Sequence, residues 1–200
     1  MSAQAYRSRT RSRRSDATRA RITSAVRDLL SEGAFHEATM EQVAERAGIS
    51  RATLYQHFGS RLDLVDAICE TFGENPALRE LRDLVVNPDP EVALDQTIAN
   101  TIRFWATEDS VLSQIYGVAA IDPAAQSLID RQRGDRRGEL ARLVRNLSGA
   151  GRLGPSTQRA LALLLVLTSY ETFRELSGAG LSARQATATL QETARELILA

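Results

Sequence analysis

Residues 39–58, TMEQVAERAGISRATLYQHF, carry the pattern that decides the fold. Thr39 is a natural N-cap, and Gln42 three residues on completes a capping box, in which each side chain satisfies the other's backbone N–H. Val43, Ala44 and Ala47 then fall on one helical face, and Gly48 supplies the left-handed residue that stops the helix. Only Gly48, Ile49 and Ser50 intervene before a second helix, which Ser50 can N-cap and which turns Leu54 and Phe58 inward. Two short helices joined by a three-residue turn containing glycine form a helix-turn-helix, which sets the second helix across the first. The start of that second helix can then enter a DNA major groove, about 12 Å wide.

The outward face of the second helix would carry Arg51, Ala52, Tyr55 and Gln56. Arginine suits guanine O6 and N7, glutamine suits adenine N6 and N7, and alanine suits the thymine methyl, so this face has the chemistry for reading bases. Thr39, Thr53, Tyr55, His57 and Arg61 are placed to donate to phosphates around it. Ser50 opens the helix, and free N–H groups at a helix start add to such contacts.

Upstream, the stripe Ile22, Val26, Leu29, Leu30 predicts a first helix from Asp16 that ends at Gly33. Residues 1–15 are Arg-rich without apolar period and are expected to form a flexible arm. Downstream, Ser60 with Asp63 caps a helix carrying Leu64, Val65, Ile68 and Phe72 on one face. Strand and hairpin signals are absent, so the sequence predicts an all-α protein. Breaks at Asn75-Pro76, Asn87-Pro88-Asp89-Pro90, Asp122-Pro123 and Ser148 to Pro155 predict further helices of roughly 77–86, 91–107, 109–120, 123–147, 156–177 and 182–199.

The zero net charge hides an asymmetry, because residues 1–61 hold 11 Arg against 6 Asp/Glu while residues 62–200 hold 14 Arg against 19. A basic head is the electrostatic footprint of a nucleic-acid binder. Cys69 is the single cysteine, so no intrachain disulfide is available and no Cys/His cluster offers a metal cage. The two histidines, His36 and His57, have no Cys or carboxylate at ligand spacing. No nucleophile elbow, phosphate loop or dinucleotide fingerprint occurs, which leaves catalysis without a constellation, and no cofactor is implied. The N-terminus lacks an apolar signal core and the longest strongly apolar run, 160–167, is too short to span a membrane, so a cytoplasmic protein with no membrane partner is expected.

The stretch FHEATMEQVAERAGIS (35–50), followed by RATLYQHFGSR (51–61), closely resembles the TetR/AcrR family of bacterial transcriptional regulators. The resemblance covers the opening Thr, the Val-Ala pair, the Gly-Ile-Ser turn and Thr53-Leu54-Tyr55-Gln56-His57-Phe58, with Arg61 where lysine is common. It is strong over residues 16–72 and architectural beyond them, although YETFREL (170–176) is similar to wording near the family's dimer interface. It implies a three-helix head over 16–60 on a larger helical ligand-binding and dimerisation body over 61–200. The usual mode is a repressor that a small molecule releases from a palindromic operator in double-stranded DNA.

For the body, Phe72, Phe104, Trp105, Tyr116, Tyr170 and Phe173 are candidate lining for an apolar or aromatic guest, since small-molecule sites are walled mainly by such side chains. Leu163, Val166, Leu167, Leu190, Ala194 and Leu197 are expected at a two-fold homodimer interface built from the last long helices. Two alternatives stand beside this reading. One is an activator or ligand-independent DNA-binding protein with the same head; the other is a helical enzyme or small-molecule carrier with a vestigial helix-turn-helix.

Overall fold

The computed structural model describes residues 3–84 and 89–200, and for residues 3–12, 82 and 83 the backbone alone. The first two arm residues and the expected break at Asn87-Pro88 therefore lie outside the described residues. Ten helices occur among those described. They are α1 (Ala3–Ser31), α2 (Met40–Arg46), α3 (Arg51–His57), α4 (Arg61–Phe72), α5 (Pro76–Asp83), α6 (Pro90–Ala119), α7 (Pro123–Gly149), α8 (Thr157–Leu167), α9 (Tyr170–Gly178) and α10 (Ala183–Ile198). The only extended pairing among them is an isolated bridge between Leu153 and Leu199, so the protein is all-α.

The chain divides into two compact units. One holds α1 to α4 as far as Thr71, together with Ser110–Leu128; the other holds Phe72–Asp109 and Ile129–Ala200. In the first unit the apolar stripe of α1 (Ile22, Ala25, Val26, Leu29, Leu30) is buried with Val43, Ala44, Leu54, Phe58, Leu64, Val65 and Ile68. Cys69 is buried here as well, as a small apolar side chain. Gly33 and Gly48 have φ of 73° and 63°, the left-handed values that an L side chain adopts only with strain, so both helix stops fall where the glycines stand.

Arg61 fixes the start of α4. Its guanidinium donates to the carbonyls of Phe35 and Ala38, and to that of His36 at 3.4 Å, while stacking 4.5 Å over the Phe35 ring. Burial lowers its pKa, because the charged form has lost water. Sequence reasoning gave this cation to DNA phosphate; the structure commits it to backbone carbonyls that α1 and α2 leave open between them. Ser60 and Asp63 form the expected reciprocal cap beside it, with Asp63 N–H donating to Ser60 Oγ at 3.2 Å and Ser60 N–H to Asp63 Oδ2 at 2.9 Å.

Three expectations about elements change. Residues 3–15, expected as a flexible arm, are the opening of α1. They contain neither proline nor glycine, and Arg, Ala and Gln favour helix, so the helix nucleated by the apolar stripe continues outward without needing a buried face. The two helices expected over 91–107 and 109–120 are one, α6 (Pro90–Ala119), because nothing between Ala106 and Ser110 removes a backbone donor or requires positive φ. Residues 156–177, conversely, break at Thr168-Ser169. Ser169 caps α9 by accepting from Thr172 N–H at 3.0 Å, and the carbonyl of Thr168 is taken by Trp105 Nε1 at 3.1 Å and Arg136 Nη1 at 2.6 Å.

The second unit's core includes Leu94, Ile98, Ile102, Leu147, Leu164, Ala186, Leu190, Ala194 and Ile198. Leu190 and Ala194 are only 3% and 0% exposed within a single chain, so neither is available to a partner as expected. Their stripe on α10 meets α8 and α9 of the same chain, and an amphipathic helix has only one such face to give. Leu163 and Leu167 are half-buried, while Val166 and Leu197 remain exposed at 63% and 43%.

Leu190→Ala is expected to lower unfolding free energy by about 2–5 kcal/mol, the cost of a core cavity, whereas Val92→Ala on an exposed site stays within about 1 kcal/mol. Denaturant titration checks both. Arg61→Ala is expected to cost about 1.5–3 kcal/mol, the range for hydrogen bonds to a charged donor, with Arg61→Lys recovering only part because one ammonium cannot span separate carbonyls. An unchanged melting temperature for Arg61→Ala would return that side chain to the DNA surface.

Candidate nucleic-acid interface

The helix-turn-helix is built from caps and a small buried base. Thr39 N–H donates to Gln42 Oε1 at 2.7 Å and Gln42 N–H to Thr39 Oγ1 at 3.2 Å, closing the expected capping box. Ser50 accepts from Thr53 N–H at 3.1 Å, and the two hydroxyls share a further hydrogen bond of 2.8 Å. Behind α3, Leu54 and Phe58 are 0% and 2% exposed, which fixes the rotation of the helix about its axis. The opposite face is thereby forced outward, and Arg51, Ala52, Tyr55 and Gln56 are all exposed.

Arg21 holds the turn in place and was not anticipated. From α1 its guanidinium donates to Ala47 O at 3.0 Å (Nη2) and 3.2 Å (Nε), and to Gly48 O at 2.8 Å. These are carbonyls at the end of α2, so a cation there also opposes the negative end of that helix's dipole. Nothing in the local sequence marks it, since its partners are 26 and 27 residues away. Arg46 supports the same helix end through Glu32, with Nη1 donating to Oε2 at 2.9 Å, and that hydrogen bond holds the Glu32 carboxyl below its ordinary range.

The expected contact residues divide by what they already do. Arg51, Ala52, Tyr55 and Gln56 form one open patch. Thr39 and Ser50 are exposed but spend their side-chain oxygens on caps, Thr53 and His57 are half-buried at the patch edge, and Arg61 is turned into the fold. The Arg51 guanidinium lies 5.5 Å from the Tyr55 ring centre and is ion-paired with Glu41. Its pKa is raised, first by a hydrogen bond with Tyr55 and then by the Glu41 charge.

In the second unit five of the six expected pocket aromatics form a continuous series. Ring centres are 5.5 Å apart for Phe72–Phe104, 4.9 Å for Phe104–Trp105, 5.5 Å for Trp105–Tyr170 and 6.2 Å for Tyr170–Phe173. Tyr116 is half-buried and belongs to the first unit. The polar ends are engaged: Trp105 donates to Thr168 O, and Tyr170 Oη to Asp109 Oδ1 at 2.6 Å, where Arg174 Nη1 also binds Oδ2 at 2.9 Å. Beside the series, buried Glu108 accepts from Asn75 Nδ2 at 2.9 Å. No group of three or more His, Cys, Asp or Glu that could hold a metal occurs among the described residues, and no described helix is long and apolar enough to cross a membrane.

Comparison with known proteins adds to this geometry. Residues 22–68 match the family of bacterial regulatory proteins of the tetR type. Over 51 residues the chain is 45% identical to the transcriptional regulator UidR of Escherichia coli K12, covering 26% of each protein. Over 60 residues it is 35% identical to the transcriptional activator FasR of Mycolicibacterium smegmatis, covering 30% of this chain and 27% of that one. The match thus spans about a quarter of these relatives' length. In fold, the chain is similar to a transcriptional regulator from Saccharomonospora viridis solved with choline, at TM-score 0.71 and 20% identity over 92% of this chain and 99% of that one. Residues 22–68 are thus similar to the tetR type of bacterial regulatory proteins, and the helical fold is shared with a solved regulator along nearly the whole chain.

Proposed function

We propose that this chain is a cytoplasmic, sequence-specific DNA-binding transcriptional regulator, working as a repressor that a small molecule releases from its operator. The observation that carries the reading is the exposed patch of Arg51, Ala52, Tyr55 and Gln56 on a helix whose other face is anchored by Leu54 and Phe58. Residues 16–60 act as the reading head and 61–200 as the ligand-binding and dimerisation body.

Two copies related by a two-fold axis would present two α3 helices about one DNA turn, ~34–36 Å, apart, each reading half a palindrome. The exposed Val166 and Leu197, with half-buried Leu163 and Leu167, are the apolar side chains offered to that interface. The guest is an apolar or aromatic small molecule held by ring faces of the Phe72-to-Phe173 series. The choline bound by the S. viridis regulator supports a small guest of a kind that aromatic rings attract. Because Phe72 ends α4 while Arg61 anchors its start, a guest that displaces Phe72 acts on the helix joining body to head. Such coupling is a difference in ligand affinity between two conformations, typically about 1–3 kcal/mol. The name of FasR favours one alternative, activation with the same head.

Sequencing genomic DNA enriched by the purified protein is expected to return a palindromic site. DNA retained without sequence preference would overturn sequence-specific regulation. On the enriched site, Arg51→Ala is expected to abolish discrimination at one base pair per half-site, at about 1–3 kcal/mol there, and to leave other positions unaffected. Equal losses on every single-base variant would remove Arg51 from base reading. In solution the wild-type protein is expected at twice the mass of one chain, and a monomer that binds the palindrome tightly would contradict the dimer.

A further inference from the structure

Arg51 is met by a carboxylate from the other helix of the motif. Glu41 lies in the first turn of α2, and its Oε1 pairs with Arg51 Nη1 across ten residues of chain. The two side chains are 62% and 59% exposed, so burial does not hold the pair together. Exposed pairs of this kind contribute little to stability. A carboxylate on the surface that meets DNA also repels phosphate, which weakens binding to every sequence. A carboxylate in the first turn favours α2 through the helix dipole, but neither that small effect nor affinity accounts for its pairing with Arg51.

Specificity does. We infer that Glu41 is a specificity-determining residue of the helix-turn-helix, which positions the Arg51 guanidinium for a guanine edge and keeps it from serving as a general phosphate ligand. Arginine presents five N–H donors in a rigid planar fork. With one Nη1 donor held by Glu41 and the Tyr55 ring beside it, the plane and direction of the fork are fixed, and the remaining donors are left for a bidentate contact with O6 and N7. A loose guanidinium would be satisfied equally by any nearby phosphate, which carries no sequence information. Glu41 opposes that alternative by charge and favours the base edge by geometry, so it raises the ratio of specific to non-specific binding while lowering both affinities.

The inference rests on the base-reading role proposed for Arg51, and the test separates the two. Full-length wild type, Glu41→Ala, Glu41→Gln, Arg51→Ala and the double variant Glu41→Ala/Arg51→Ala are titrated with three probes. These are the duplex enriched from the genome, its single-base variants, and a mixed-sequence duplex of equal length. Glu41→Ala is expected to bind the mixed duplex several-fold tighter and to lose roughly fivefold or more in discrimination at the base pair read by Arg51, and only there. The double variant should match Arg51→Ala at that base pair. Glu41→Gln, which removes the charge without shortening the side chain, should gain affinity for mixed DNA in the same way, and its melting temperature reports that the fold is kept. Full discrimination in a folded Glu41→Ala, or an equal loss at every position, would overturn the role of Glu41 while leaving that of Arg51 intact. An Arg51→Ala protein that discriminates like wild type would overturn both.

Discussion

A helix of seven residues does not hold itself together in water, because nucleation consumes most of the free energy that so few hydrogen bonds return. Helix α3, proposed to read DNA, therefore exists only as part of the packing beneath it. Leu54 and Phe58 supply that packing from α3, which meets α2 with its buried Val43 and Ala44, and α2 in turn meets α1. Everything proposed for DNA depends on this arrangement, since the residues facing outward are those left over once Leu54 and Phe58 are buried. Arg21 and Arg61 extend the same logic to the backbone. Each takes up carbonyls that helix ends and turns leave open, and each thereby fixes an angle that apolar contacts alone would leave loose.

Much of this was legible in the sequence because the signals are local. The capping box at Thr39, the N-caps at Ser50 and Ser60, and the stop at Gly48 each concern partners within about four residues, and each stands where the spacing put it. The inward and outward faces of α3 follow from its period in the same way. What was misread required knowledge of distant partners. The break at Thr168-Ser169 is held open by Trp105 and Arg136, from 63 and 32 residues away, although Ser169 and Thr172 carry the cap pattern that could have signalled it. Leu190 and Ala194 show a clean apolar stripe, but period alone does not say whether a stripe faces its own chain or a partner. Arg61 looked like a surface cation because its carbonyl partners lie 23 to 26 residues upstream.

The two units differ in how far their chemistry constrains function. In the first, geometry, charge and the relatives' shared segment converge on one surface of four side chains. In the second, the aromatic series is consistent in place but general in kind. Its hydrogen-bonding ends are occupied within the protein, and the carboxylates of Glu108 and Asp109 beside it are engaged by Asn75, Tyr170 and Arg174, so the ring faces are what the proposed guest would meet. Under the proposed function this is the expected division of labour, with a head that keeps one docking geometry and a body that adapts to a particular molecule.

The central claim is that the outward face of α3 lies against DNA while its inner face stays packed. Side-chain oxidation by hydroxyl radicals, read residue by residue with and without the enriched duplex, tests it directly. Tyr55 on α3 is 43% exposed, and Phe58, the residue that ends the helix, is 2% exposed. The account predicts rapid oxidation of Tyr55 in the free protein, strong protection when the duplex is added, and slow oxidation of Phe58 in both states. Tyr55 oxidised equally fast with saturating duplex bound would contradict it, and would place the DNA on another surface of the molecule.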